Sequence, residues 1–591
     1  MRMELLIWAG LFVIGEAMNA PEVAKLLRWD GGYEGEELPE RLEWPWNLHP
    51  GENTFAEVVA GKLHVVDRGT EKTQLRFYSR RWYAHPKLGA VAEVRLRVVS
   101  CSGPAGVVLL MADGVHEAGL TFYPDRVEFH RLGLSYRLDT TDDFHIYRLE
   151  VKAQDLRLWV DGQIALDAPG KFTPPAHQGR NLIGFGSCSS PATGEAYWDY
   201  VRYLLYKPPV VEGAEHIIIY KRPGIYACFP SLVKGREGTL YLAFSTRVRR
   251  SHIDPTGGGA RRMSKDGGRT WIEVEGEWPV RPARRRRDGG QAYARAYGWR
   301  EVPKEQEEEF RARGFVTREV RPGVVAYLSG AYAARKLPRS GTWERWEIEV
   351  PPQASLMNYN QAAELKTREG IHLVAVYGRE KPDTSLSPLA GGRSTSWVLR
   401  SDDEGDSWQL LPLAPPTRLE RLSPLQPEAE ASRLPDLWVP EEGLLGFTET
   451  ALAEAPDGTI LALMRPEPDR HGYLYQAVSH DGGLTWSPPA RTPIWGYPAH
   501  LLVLPDGSVL CTYGYRRPPM GIRACLSRDG GKTWDIAHEF VLRADGQRSG
   551  SDLGYPITQQ AEDGTLVTVY YHTTGDGVTH IAATRWRIPE G

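Results

Sequence analysis

Cysteine is scarce in these 591 residues: Cys101, Cys188, Cys228, Cys511 and Cys525 are scattered, odd in number and without a CxxC spacing. That scarcity argues against a disulfide framework and against a cysteine-based zinc site. No metal and no other cofactor is called for. Long apolar runs are missing as well. The stretch Leu5 to Ile14, inside "MRMELLIWAGLFVIGEAMNA", is too short to span a bilayer as a helix, and no other run is long enough. With a basic residue ahead of it, the stretch resembles a signal peptide, whereas Glu4 and a poor cleavage site weigh against one. Residues 1–30 are therefore read as an N-terminal segment, with export to the periplasm or the medium left open. Charge of one sign is lacking too. The formal net charge is -4, from 71 Lys and Arg against 75 Asp and Glu, so nothing draws the chain as a whole to nucleic acid. The one basic run, "RPARRRRD" at 281–288, reads as the solvated face of an insertion.

What is plentiful is turn-forming and aromatic: 61 Gly, 44 Pro, 19 Trp and 27 Tyr, a mixture that points to an all-β chain of several domains. Segments such as "KLHVVD", "VAEVRLRVV", "YRLEVKA" and "LRLWVDGQIALD" alternate apolar and polar residues, as half-buried strands do. They predict an antiparallel β-sandwich over 31–207. Its "VDGQ" turn and terminal "WDYVRY" strand resemble the concanavalin-like jelly rolls that accompany carbohydrate-active enzymes, and both a sugar-binding and a packing role stay open. A Pro-containing linker, 208–216, follows. Beyond it, strand pairs joined by Asp-Gly or Glu-Gly turns take over: "EGTLYLAF", "EGIHLVAVY", "DGTILALM", "DGSVLCTY" and "DGTLVTVYY".

Between those pairs an octapeptide recurs: "SKDGGRTW", "SDDEGDSW", "SHDGGLTW" and "SRDGGKTW", starting at Ser264, Ser401, Ser479 and Ser527. The last spacing, 48 residues, is close to that of a propeller blade, and the wider gaps imply a blade without the motif or insertions. One insertion is legible around 280–345, where "PKEQEEEFRARGF" is charged and helix-like. Within the octapeptide the Asp can accept hydrogen bonds from its own turn, a Gly supplies a positive φ, and the Trp covers the hairpin. All of these are local, structural jobs. "GGKT" at 530–533 is not a phosphate loop, because the first Gly of that motif would fall on Leu526. The octapeptide resembles the Asp box (BNR repeat) of the sialidase, or neuraminidase, superfamily. That resemblance implies a six-bladed β-propeller over 217–591, with the boxes on the side away from the active site.

Four further stretches resemble sialidase active-site segments, in order. In "CFPSLVKGREGTLYLAFSTRVRRSHIDPTGGGARRMSKDGGRTW" (228–271) the resemblance makes Asp254 the general acid and base. Arg247 would reach the same pocket, and His252 would line it. "FTETALAEAPDGTILALMRPE" (447–467) offers Glu449 and, 16 residues on, Arg465, similar to the sialidase pair of catalytic Glu and carboxylate-binding Arg. "YGYRRPPMGIRACLSRDGGKTW" (513–534) offers Arg516, Arg517 and Arg523, of which Arg517 is preferred as a further carboxylate ligand. "DLGYPITQQAEDGTLVTVYY" (552–571) puts Tyr555 in the nucleophile's place.

Such a set has a chemical logic. A sugar with a carboxylate on its anomeric carbon repels an Asp or Glu nucleophile, and sialidases are the exception that attacks with Tyr. An ordinary phenol needs a base within reach, here Glu449, while arginines clamp the sugar's carboxylate bidentately. One position departs from the pattern. Aligning "CFPSLV" with the family's Arg-Ile-Pro opening puts Cys228 where the first of three arginines belongs. Either Arg222, Arg249 or Arg250 substitutes, or the substrate lacks that carboxylate. The resemblance thus implies an exo-acting retaining glycosidase acting on a glycan that ends in sialic acid or a related acidic sugar. The alternatives are a non-catalytic glycan-binding protein, and a glycosidase or lyase of the same scaffold acting on another sugar.

Overall fold

The computed structural model describes residues 29–589, apart from 43–44, 83, 189–190, 236, 248–257, 275–277, 280, 297–298, 329, 353, 359–360, 381–391, 427–439, 441, 469–470, 518, 547–551 and 575–576. The fold is all-β, and the chain divides into two compact units between Pro208 and Pro209.

The first unit is a sandwich of an eight-stranded and a seven-stranded antiparallel sheet. Its longest strands, Ala90–Cys101 and Gly194–Leu205, pair at the centre of the larger sheet. Inward residues of both sheets, among them Val94, Leu149, Leu109, Phe122 and Phe185, form one core around Trp82 and Trp198. The alternation visible in the sequence is the two faces of these strands.

Among the described residues the second unit forms seven antiparallel sheets, six of which follow one another and are numbered here as blades 1 to 6. Their innermost strands are Tyr226–Lys234, Gln291–Ala296, Ala354–Asn358, Leu444–Glu454, Ala499–Val503 and Gly554–Gln560. Blade 6 is completed by the strand that opens the unit, Glu215–Tyr220, which pairs with the last one, Thr579–Trp586. It takes up the end of the segment read as a linker. Joining first strand to last is how a propeller closes its ring and removes free sheet edges.

Within the blades, the Asp-Gly turns make one repeated hairpin. In blade 4 the Ala455 amide donates to the Thr459 carbonyl at 2.8 Å, and Gly458 takes φ 91°. Leu504 with Ser508 and Ala561 with Thr565 repeat the bond in blades 5 and 6. The charged "PKEQEEEFRARGF" stretch forms the short helix Glu307–Ala312 within an extra three-stranded sheet, inserted between the first two strands of blade 2.

The octapeptides connect the third and fourth strands of blades 1, 3, 4 and 5. Each folds the same way: Ser479 Oγ donates to Asp481 at 2.8 Å and accepts from the Gly483 amide at 2.9 Å, while the Thr485 amide donates to Asp481 at 2.9 Å. The Gly at the fifth position of each turn also packs on the preceding blade, Gly268 against Val567, Gly405 against Ala292, Gly483 against Leu373 and Gly531 against Leu461. The turns therefore staple neighbouring blades. In the last of them Trp534 is buried, and its indole donates to Gln476 of blade 4 at 2.9 Å. Because the strands alternate in direction, these turns sit at the end of each blade opposite to where its innermost strand begins.

Candidate functional site

Three of the innermost strands break register, those of blades 1 and 6 near their beginnings and that of blade 4 midway along. Blade 1 slips between Cys228 and Ser231, blade 4 between Thr448 and Ala451, and blade 6 between Gly554 and Ile557. At each slip one non-glycine residue adopts a left-handed backbone: Phe229 at φ 53°, Glu449 at φ 46° and Tyr555 at φ 47°. Such a conformation costs an L-residue roughly 1–2 kcal/mol, and bulges of this kind re-aim a side chain. In blades 1 and 6 the strained residue is an aromatic followed by Pro, which cannot donate to the ladder.

The re-aimed side chains meet. Tyr555 Oη donates to Glu449 Oε1 at 2.5 Å, and Arg465 Nη1 donates to Glu449 Oε2 at 2.6 Å. Arg465 also reaches the phenol oxygen at 3.4 Å. The three residues are buried, 7 to 9% exposed. Phe229 packs edge-on against Tyr555, with ring centroids 4.8 Å apart. Burial, then the charge of Glu449, holds the Tyr555 phenol well above its ordinary range, against the opposing pull of Arg465 and Arg516. A phenol can act as a nucleophile only as its proton leaves, and the carboxylate within hydrogen-bond reach of this one is Glu449.

Of the three arginines at 516, 517 and 523, the structure brings Arg516 to this cluster. Its guanidinium lies 6.0 Å from the Tyr555 ring centre and 5.2 Å from that of Tyr497, whose ring also faces Arg465 at 4.5 Å. Two glycines make that approach: a Cβ on Gly514 of blade 5 would come within 3.0 Å of the Gly554 backbone of blade 6. Arg517 instead stacks on Trp495 at 3.7 Å, and Arg523 pairs with Glu539 and stacks on Tyr515 at 3.4 Å.

Beside them is a second group that the sequence reading did not single out. Asp552 accepts from Tyr226 Oη and from Tyr571 Oη, both at 2.5 Å, and from Arg516 Nη2 at 3.2 Å. Cys228 is buried, and burial pushes its thiol up to about 12, with the charge of Asp552 adding to the rise. Arg247, at the end of its strand and opposite Tyr226, pulls that thiol the other way. Asp254, His252, Arg249 and Arg250 lie outside the described residues, in the stretch between Arg247 and Gly258. Arg222 is exposed. Among the described residues no group of three or more His, Cys, Asp or Glu could hold a metal ion, and no helix is long and apolar enough to cross a membrane.

A family model described as a BNR repeat-like domain matches residues 438–568, the stretch carrying Glu449, Arg465, Arg516 and Tyr555. No curated protein matches the chain. Among solved structures, a protein of unknown function from Dyadobacter fermentans is 26% identical over 64% of this chain and 100% of its own, with a TM-score of 0.45. A Hadza microbial sialidase is 14% identical over 91% of this chain and 98% of its own, at a TM-score of 0.38. Trypanosoma rangeli sialidase in complex with the inhibitor DANA is 12% identical over 64% of this chain and 60% of its own, at 0.37. None of the three reaches a TM-score of 0.5, and none carries its chemistry over to this chain.

Proposed function

We propose that the protein is an exo-acting retaining glycoside hydrolase that releases a terminal acidic sugar, sialic acid or a relative, from glycans. The observation that carries this reading is the buried Tyr555–Glu449–Arg465 cluster, in which the phenol donates to the carboxylate at 2.5 Å. On this reading Tyr555 Oη attacks the anomeric carbon while its proton passes to Glu449. Asp254 protonates the departing glycosidic oxygen. In the second half Asp254 takes a proton from water, the water oxygen displaces Tyr555, and the proton held by Glu449 returns to the phenolate. Arg465 and Arg516 would grip the sugar's carboxylate, and Arg247 and His252 would line the acid side of the pocket. The four octapeptides would be Asp boxes, remote from the chemistry. The sandwich would be a concanavalin-like companion domain.

A neutral Tyr suits an anionic substrate because it adds no charge to repel the sugar's carboxylate. Its cost is a weak nucleophile, which the short bond to Glu449 offsets. The test is release from an aryl sialoside and from a panel of other aryl glycosides, repeated with Tyr555→Phe and Asp254→Asn. Release from the sialoside that both substitutions abolish is expected. Binding without release under every condition would overturn the enzyme reading, release from another glycoside only would overturn the substrate, and an unsaturated, ultraviolet-absorbing product would favour a lyase.

A further inference from the structure

At the corner of the site where Cys228 stands, the prominent polar side chain is a carboxylate, that of Asp552. Three donors reach it from three different blades: Tyr226 from blade 1, Tyr571 from blade 6, and Arg516 from just beyond the second strand of blade 5. Arg516 is held twice, because its Nε also donates to the Leu553 carbonyl at 3.0 Å. Both of its anchors therefore lie within three residues of Tyr555. A segment of four residues, 552–555, thus fixes the guanidinium and the phenol against each other. Phe229 closes the arrangement from the third side, its ring 4.8 Å from that of Tyr555 and 5.8 Å from that of Tyr571.

We propose that Asp552 is a positioning residue: through Arg516, Tyr226 and Tyr571 it sets the carboxylate-binding fork of a site that has a thiol, not a guanidinium, at residue 228. This rests on the glycosidase reading for its kinetic meaning, though not for its structural one. An arginine side chain at a strand end has many rotamers, and a charge-assisted bond to a fixed carboxylate selects one of them. The bond between Tyr555 and Glu449 is made directly and is braced by Arg465, so it does not pass through Asp552. Losing Asp552 should therefore weaken substrate binding more than the chemical step.

The experiment has two arms, with thermal melting of each variant to establish that it folds. In the kinetic arm, Asp552→Ala and Asp552→Asn are compared with the wild type on an aryl sialoside. A rise in KM of about tenfold or more with kcat reduced less than about threefold is expected for Ala, with Asn between the two because it keeps an acceptor. KM unchanged within about twofold, or kcat lost with KM unchanged, overturns the proposal. In the structural arm, crystals of wild type and Asp552→Ala are compared at Arg516. Its guanidinium is expected to leave the Leu553 carbonyl and the Tyr555 ring, and an Arg516 that stays in place overturns the proposal. If the wild type releases nothing from any glycoside, the glycosidase reading falls, while the structural arm still decides the role of Asp552.

Discussion

Glu449 combines backbone strain and buried charge at the site, and in the proposed mechanism it is also the base. It sits at φ 46° in a strand, it balances the buried Arg465, and it accepts from Tyr555. Replacing it by Gln keeps the shape but removes both the proposed base and the counter-charge. A loss of about 10²–10⁴ in kcat is expected from the missing base, read as turnover of an aryl sialoside. The unpaired Arg465 should also destabilise the protein by about 3–5 kcal/mol, read by chemical denaturation. If both quantities stay at wild-type values, the cluster neither catalyses nor stabilises. The 16-residue spacing of Glu449 and Arg465 was legible in the sequence because one hairpin joins them, and Tyr555 because it opens a strand before an Asp-Gly turn. Which of Arg516 and Arg517 faces Tyr555 was not. Neighbours at a strand end point to opposite sides, and only the packing of Gly514 on Gly554 settles which side is inward. Asp552, Tyr226 and Tyr571 were hidden for a similar reason, since they meet through the closing of the ring rather than through proximity in the chain.

Among the elements, the octapeptide turn belongs to architecture. Burial alone would raise the Asp481 carboxyl, but bonds from the Thr485 hydroxyl and amide, from Ser479 and from the Leu484 amide hold it down to about 2. Asp266 is held down to about 2 in the same way. A folded value below the unfolded one means stability that is complete above about pH 4 and is lost as the pH falls toward 2. Asp481→Ala loses the bonds from Ser479, Thr485 and Leu484 and, because solvent screens this exposed turn, should cost no more than about 1 kcal/mol at neutral pH, and its deficit against wild type should shrink as the pH is lowered from 4 to 2. Thermal melts across that range measure it. The turn lies at the far end of blade 4 from Tyr555, so kcat/KM should stay within about twofold of wild type; a larger loss would tie the turn to the chemistry. This much was legible locally, because serine, Asp, Gly and Thr in that order specify the turn by themselves. What the order cannot disclose is the stapling of one blade to the one before, which depends on Val567, Ala292, Leu373 and Leu461 in distant strands.

Across the whole molecule, the second unit gathers tyrosines into its interior. Tyr513, Tyr555 and Tyr571 are all enclosed, and burial first, then neighbouring Glu539, Glu449 and Asp552, raises each phenol well above its ordinary value near 10. Below pH 10 both the folded and the unfolded chain hold these protons, so the phenols add no pH dependence. Above it the unfolded chain releases them while the folded one does not, and the balance moves toward unfolding. Each such group contributes about 1.4 kcal/mol per pH unit, and three together about 4 kcal/mol per unit until their folded values are reached. The ring makes this a property of the molecule rather than of one blade, because its first strand completes its last sheet and opening any part exposes the rest. Stability of the second unit should accordingly be flat from pH 7 to 9 and fall steeply above 10, as read by urea unfolding. Tyr513→Phe removes one of these titrating groups without touching the Tyr555–Glu449 pair, so it should lessen the alkaline slope by about 1.4 kcal/mol per pH unit. A slope that is unchanged in this variant would mean that the buried phenols ionise in the folded ring and that solvent reaches them there.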